Sequence, residues 1–100
     1  MGKLDRIRAL CEADPKNAFG WYSLAMEEKK TDVKAALATF ERVRLEHPGY
    51  VASYYHYAQT LVAAGETERA RQIYREGMIV AERAKDSHAY GELEAALDAL

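Results

Sequence analysis

Residues 18–50 read AFGWYSLAMEEKKTDVKAALATFERVRLEHPGY, and residues 51–84 read VASYYHYAQTLVAAGETERARQIYREGMIVAERA. Trp21, Leu24, Ala25, Ala36, Phe40, Val43 and Pro48 mark the first stretch. Tyr54, Tyr57, Ala58, Leu61, Gly65, Ala70, Tyr74 and Gly77 mark the second at nearly the same spacing. An internal period of 33 to 34 residues dictates an architecture of stacked units. Each stretch reads as helix, turn, helix: a pair whose apolar face is covered only when it stacks on a neighbour. Val51–Tyr57 is rich in Tyr, yet its apolar residues follow helical spacing rather than alternation, so the sequence predicts no strand.

The flanks follow the same logic. Leu4, Ile7, Leu10 and Cys11 recur at three- and four-residue intervals, so 3–13 is an amphipathic helix ending before Pro15. Asp14-Pro15 after it parallels His47-Pro48, which makes it the second helix of an incomplete unit and a cover for the first complete one. Asn17 is the expected cap of a helix from Ala18 to about Lys29. Thr31 is the expected cap of one from Asp32 to Glu46, and Thr67 of one reaching about Lys85. Gly65 suits the left-handed backbone that ends many helices. Beyond Asp86 and Ser87, Tyr90, Leu93 and Leu97 repeat the first-helix spacing, predicting a closing cap over 87–100 that Gly91 weakens slightly. Ala25, Ala36, Ala58, Ala70 and Gly77 fall where antiparallel helices must approach closely.

These residues resemble the tetratricopeptide repeat, whose first helix carries an aromatic, Leu and a small residue and whose second carries Ala, an aromatic and Pro. The first unit is one residue short in its turn. Tyr57 stands where the family usually has Leu, Glu82 where it often has Pro, and Glu28 where an aromatic is expected, which leaves the packing of the first turn open. The resemblance implies an all-α fold, an α-α superhelix built as a solenoid of antiparallel helix pairs, in one domain: N-terminal helix 3–13, repeats 18–50 and 51–84, and a C-terminal capping helix 87–100.

Composition narrows the function. One hundred residues suffice for one core without staples. A single cysteine cannot form an intramolecular disulfide, so a reducing, cytoplasmic setting is expected, with Cys11 as packing rather than a reactive thiol. Net charge is −2, with nine basic and eight acidic residues through Tyr50 and five and eight after it, so neither half reads as a nucleic-acid footprint. No apolar run suits a membrane span or signal peptide, so no membrane partner is expected. Residues 86–100 carry four acidic residues and no Lys or Arg, which reads as a solvated helix face.

No catalytic constellation stands out. A phosphate loop, a nucleophile elbow and zinc-ligand spacing are all missing from the sequence, and His56 and His88 without a third ligand make a weak metal case. The expectation is a protein that is not an enzyme and has no catalytic residues, no cofactor and no metal. The informative feature is a second apolar stripe on each first helix. Phe19, Tyr22 and Met26 lie roughly 100–160° around from Trp21, and Tyr55 and Gln59, joined by His56, take the matching places in the second unit. Either this stripe packs against neighbouring helices, or, because first helices line the concave side of a solenoid, it faces a groove. Some tetratricopeptide proteins clasp a chaperone's terminal carboxylate with Lys and Asn at such positions. Tyr22, Ser23, Met26, Tyr55, His56 and Gln59 offer no such clamp. The expected ligand is therefore a more apolar peptide segment or helix of another protein, bound at micromolar strength because two units give less than the roughly 800 Å² per partner of stable interfaces. The alternative is structural self-assembly, a homodimer paired by two-fold symmetry.

Overall fold

Short polar side chains start three of the helices. Asn17 Oδ1 accepts from the Gly20 amide at 3.4 Å, Asp32 Oδ1 from Ala35 at 3.1 Å and Asp86 Oδ1 from Ala89 at 3.0 Å. The computed structural model describes residues 2–100 as six helices: α1 (Lys3–Ala13), α2 (Ala18–Glu28), α3 (Val33–Glu46), α4 (Val51–Ala63), α5 (Thr67–Arg83) and α6 (Ser87–Asp98). No strand occurs among the described residues. Two expected caps move. Asp32 caps α3 in place of Thr31, since its carboxylate reaches the amide three residues on. Thr67 is the first residue inside α5, and Glu66 holds the cap position without a side-chain bond. α5 stops at Arg83, two residues before the expected end, because Lys85 turns left-handed at φ 58° and closes the helix as Gly65 closes α4 at φ 82°.

Each helix packs on the next, and α6 also touches α4, giving a layered body of 41 × 29 × 19 Å. The repeat signature fills the seams. Ala25, Ala36, Phe40, Tyr54, Tyr57, Ala58, Leu61, Ala70, Tyr74 and Leu93 bury together between α2 and α6. Gly77 marks a close approach: a Cβ there would stand 2.6 Å from Tyr54 Cβ and 3.2 Å from Leu93 Cδ1, so α4, α5 and α6 meet on its bare backbone.

A second cluster joins α1 to the first repeat through Cys11, Trp21, Leu24 and Val43, flanked by Leu4, Ile7 and Tyr50. Burial pushes the Cys11 thiol above its ordinary pKa, opposed by the charge of Arg42, as suits packing rather than nucleophilic chemistry. Trp21 is 3% exposed. Its Nε1 donates to the Pro15 carbonyl at 3.0 Å, and the Arg42 guanidinium lies 3.8 Å from its ring. Leu10 departs from expectation at 72% exposed. Among the described residues α1 packs principally on α2, so one stripe through Leu4, Ile7 and Cys11 is covered, and Leu10 lies about 100° from Cys11.

Glu28 and Tyr57, two of the three departures from the repeat pattern, are resolved by polar pairing. Glu28 is buried, accepting from Thr39 Oγ1 at 2.5 Å and from Arg8 Nη2 at 3.1 Å, so a carboxylate fills the turn and ties α2 to both α1 and α3. Tyr57 stacks on Phe40, with ring centroids 5.8 Å apart and planes 11° apart, and its hydroxyl donates to Glu41 Oε1 at 2.8 Å. Glu41 also holds Arg44 at 2.7 and 2.9 Å, Arg69 approaches at 3.4 Å, and Arg44 reaches Glu76 at 3.2 Å. That network clamps α3, α4 and α5 along one flank. It holds the Glu41 carboxyl at about 2, chiefly through Arg44, and burial together with Glu41 pushes Tyr57 up to about 12.

Candidate functional site

The second stripes of α2 and α4 meet through their rings. Tyr22 of α2 lies 5.8 Å from the His56 ring of α4 and 5.5 Å from Tyr50, His56 lies 5.3 Å from Tyr55, and Tyr55 lies 6.3 Å from Tyr74 of α5. Phe19 extends the row at 6.3 Å from Tyr22. Separations of this size are those of tilted and edge-to-face aromatic contact. The helical repeat produces the row, because Tyr22 and Tyr55 occupy equivalent places 33 residues apart: Tyr22 meets His56 of the next first helix, and Tyr55 lines a cavity with α6.

Of the six residues singled out from the sequence, Tyr22, Met26, Tyr55 and His56 are half-buried, with Tyr22, Met26 and Tyr55 resting partly on the main core. Phe19 and Gln59 are exposed. Phe19 sits at the end of the row and also lines a separate cavity with α1 residues. The rings are therefore neither solvated side chains nor sealed core: each presents part of its surface.

His56 is the polar member. Its Nδ1 is buried without a hydrogen-bond partner, an atom with unmet bonding capacity inside an aromatic setting. Burial lowers the imidazole pKa below its ordinary value, the charge of Lys29 lowers it further, and Glu92 opposes both. Burial also raises the Tyr22 hydroxyl pKa, with Tyr50 adding to the effect. A cavity of about 210 Å³ opens beside the row, walled by Val51, Ala52, Tyr55 and His56 of α4 and by Ala89, Glu92 and Leu93 of α6.

Three contributors escaped the sequence reading: Tyr50, Tyr74 and the α6 wall. Glu92 was accessible in principle, since the spacing that places Tyr90 in register with Tyr54 also places Glu92 in register with His56. Tyr74 was counted as core alone, and Tyr50 lies in a turn that periodicity does not describe. His88 is an exposed side chain whose Nε2 lies 3.4 Å from Glu92 Oε1. Among the described residues no three His, Cys, Asp or Glu side chains gather as metal ligands, and no helix is long and apolar enough to cross a membrane.

A solenoid of helix pairs with this residue signature can be compared with known proteins. The tetratricopeptide repeat family model matches residues 25–97. The chain belongs to the tetratricopeptide repeat family. Its fold resembles the solution structure of a tetratricopeptide repeat domain protein from Salinibacter ruber at 34% identity and TM-score 0.79, over 84% of this chain and 86% of that one. The crystal structure of a tetratricopeptide repeat domain protein from the same organism aligns at 33% identity and TM-score 0.75, over 81% and 91%. A Bordetella parapertussis protein shares the fold at 21% identity and TM-score 0.80, over 98% and 86%. No curated protein matches. Tetratricopeptide repeats in general serve protein–protein interaction.

Proposed function

We propose that this tetratricopeptide repeat protein is an adaptor that binds a peptide segment or helix of another protein along the row formed by Phe19, Tyr22, Met26, Tyr55, His56 and Gln59. The observation that carries the reading is the ladder Tyr22–His56–Tyr55, three half-buried rings crossing two repeats with centroids 5.8 and 5.3 Å apart. Half-buried tyrosines offer large contact area in already restricted rotamers, so a ligand gains apolar burial at low entropic cost. Lys29 lies near His56 as a single cation, so an apolar or aromatic segment suits the site better than an anionic terminus. The lone, buried Cys11 accords with work in the reducing cytoplasm.

Selection of a displayed library of short random peptides against the protein tests this reading. Selected peptides are expected to be rich in apolar and aromatic residues, to bind at roughly micromolar strength, and to shift the ring resonances of Tyr22, Tyr55 and His56. Peptides that instead shift only α1, α3 or α5 resonances would refute the assignment of the row.

A further inference from the structure

Along α2, Phe19, Gly20 and Ser23 stand 33 residues before Ala52, Ser53 and His56 of α4. On α4 this face receives the preceding first helix: Ser53 is buried, and His56 lies beside the Tyr22 ring at 5.8 Å. On α2 no first helix among the described residues covers it. Phe19 is 61% exposed and shares a cavity of about 410 Å³ with Ile7, Leu10 and Cys11 of α1. Since α1 packs on α2 as α3 packs on α4 and α5 on α6, it behaves as a second helix, and no first helix stands before it among the described residues.

The opposite end is its complement. α6 is capped by Asp86 as α2 is by Asn17, and packs on α4 and α5 as a first helix. Its register places Gly91 and Ala95 where Tyr55 and Gln59 stand on α4, the side turned toward the next first helix. Both are exposed, and a Cβ at Gly91 would meet nothing within 4 Å. A cavity of about 400 Å³ between α5 and α6, walled by Ala81, Lys85 and Tyr90 among others, lies where a following second helix would lie.

We propose that the α6 end of one copy seats in the α1–α2 end of a second copy, so that α6 and the incoming α1 complete a helix pair across the junction. The side chains of Leu10 and Phe19 meet a flank reduced to Gly91 and Ala95, large against small. A solenoid end normally carries a polar outer face, and this α1–α2 end exposes two large apolar side chains instead. Two α6 ends repel one another, because residues 86–100 hold four acidic side chains and no Lys or Arg, whereas the α1–α2 end mixes Lys3, Arg6 and Lys16 with acids. The contact is heterologous and does not close on itself, so it propagates along an axis instead of stopping at a two-fold dimer. One helix pair covers less than a stable interface, so association is micromolar or weaker.

Sedimentation equilibrium from roughly 1 µM to roughly 1 mM, the range of affinities such a small contact allows, tests the proposal on the 100-residue chain. The average mass is expected to rise past that of a dimer. Leu10→Glu blocks one end and Ala95→Arg the other; both sites are exposed, so circular dichroism is expected to match the parent. Each variant alone is expected to stay monomeric, and an equimolar mixture to form a one-to-one dimer and nothing larger. A parent that stays monomeric throughout, as when the slot serves a different protein, would overturn the proposal. So would an Ala95→Arg variant that associates like the parent, as when two α1–α2 ends pair symmetrically, or a mixture that stays monomeric. Phe19 belongs to both surfaces, so peptide binding is judged separately on the two monomeric variants, which keep Tyr22, Tyr55 and Phe19 intact.

Discussion

Gly77 and Tyr54 approach so closely that a methyl group at Gly77 would lie 2.6 Å from Tyr54 Cβ, an atom fixed to the α4 backbone and unable to swing away. The intrinsic helix preference for Ala over Gly, about 1 kcal/mol, is outweighed there. Gly77→Ala is expected to cost about 1–3 kcal/mol by forcing α4 and α5 apart. Gly91→Ala, in open space on α6, is expected to gain about 1 kcal/mol. Chemical denaturation of both variants checks the opposite signs.

Lys85 closes α5 in the left-handed conformation, with the Asp86 amide donating to the Ala81 carbonyl at 2.9 Å and the Lys85 amide to Glu82 at 3.0 Å. Gly65 makes the same turn after α4. A side chain in that conformation costs about 1 kcal/mol or more. Lys85→Gly is therefore expected to raise the thermal midpoint, and Gly65→Ala to lower it, in paired melting curves.

The Glu41 carboxyl is held at about 2 in the folded chain, against an ordinary 4.5, first by its hydrogen bonds from Arg44 and then, against the opposing effect of burial, by Tyr57. A depressed folded pKa means that the unfolded chain takes up the proton first as pH falls. Its stabilising contribution is complete above about pH 4.5 and disappears as pH falls toward 2. Because the group is partly solvated, about 1 kcal/mol is expected. Glu41→Gln should lose that amount at neutral pH and show a shallower decline of stability through the window.

The architecture was legible because period and spacing are local properties: Trp21, Leu24 and Ala25 recur as Tyr54, Tyr57 and Ala58, and the structure buries all six. What a single helix could not disclose was how many neighbours it has. Leu10 belongs to an apolar stripe by spacing, yet it is exposed because α1 packs principally on one helix. Glu28 looked like a flaw in the repeat since its partners, Arg8 and Thr39, lie 20 and 11 residues away. Thr31 and Asp32 both have capping side chains, and only the reach of Asp32 to Ala35 distinguishes them. For the row proposed as the binding site, the stripe on α2 and α4 was readable, whereas the wall from α6 and the contacts of Tyr50 and Tyr74 depend on how the helices lie together.

The adaptor reading is tested most directly by comparing stability and peptide affinity in Tyr22→Ala, Tyr55→Ala and Tyr54→Ala. Tyr54 is 2% exposed, and its hydroxyl donates to the Pro48 carbonyl at 2.6 Å, so its removal empties the core and should cost about 3–5 kcal/mol. Tyr22→Ala and Tyr55→Ala should each cost markedly less stability while weakening a selected peptide at least about tenfold, as truncation of an interface anchor does. If those two variants unfold as readily as Tyr54→Ala, or keep stability and affinity alike, the aromatic row is not the binding site.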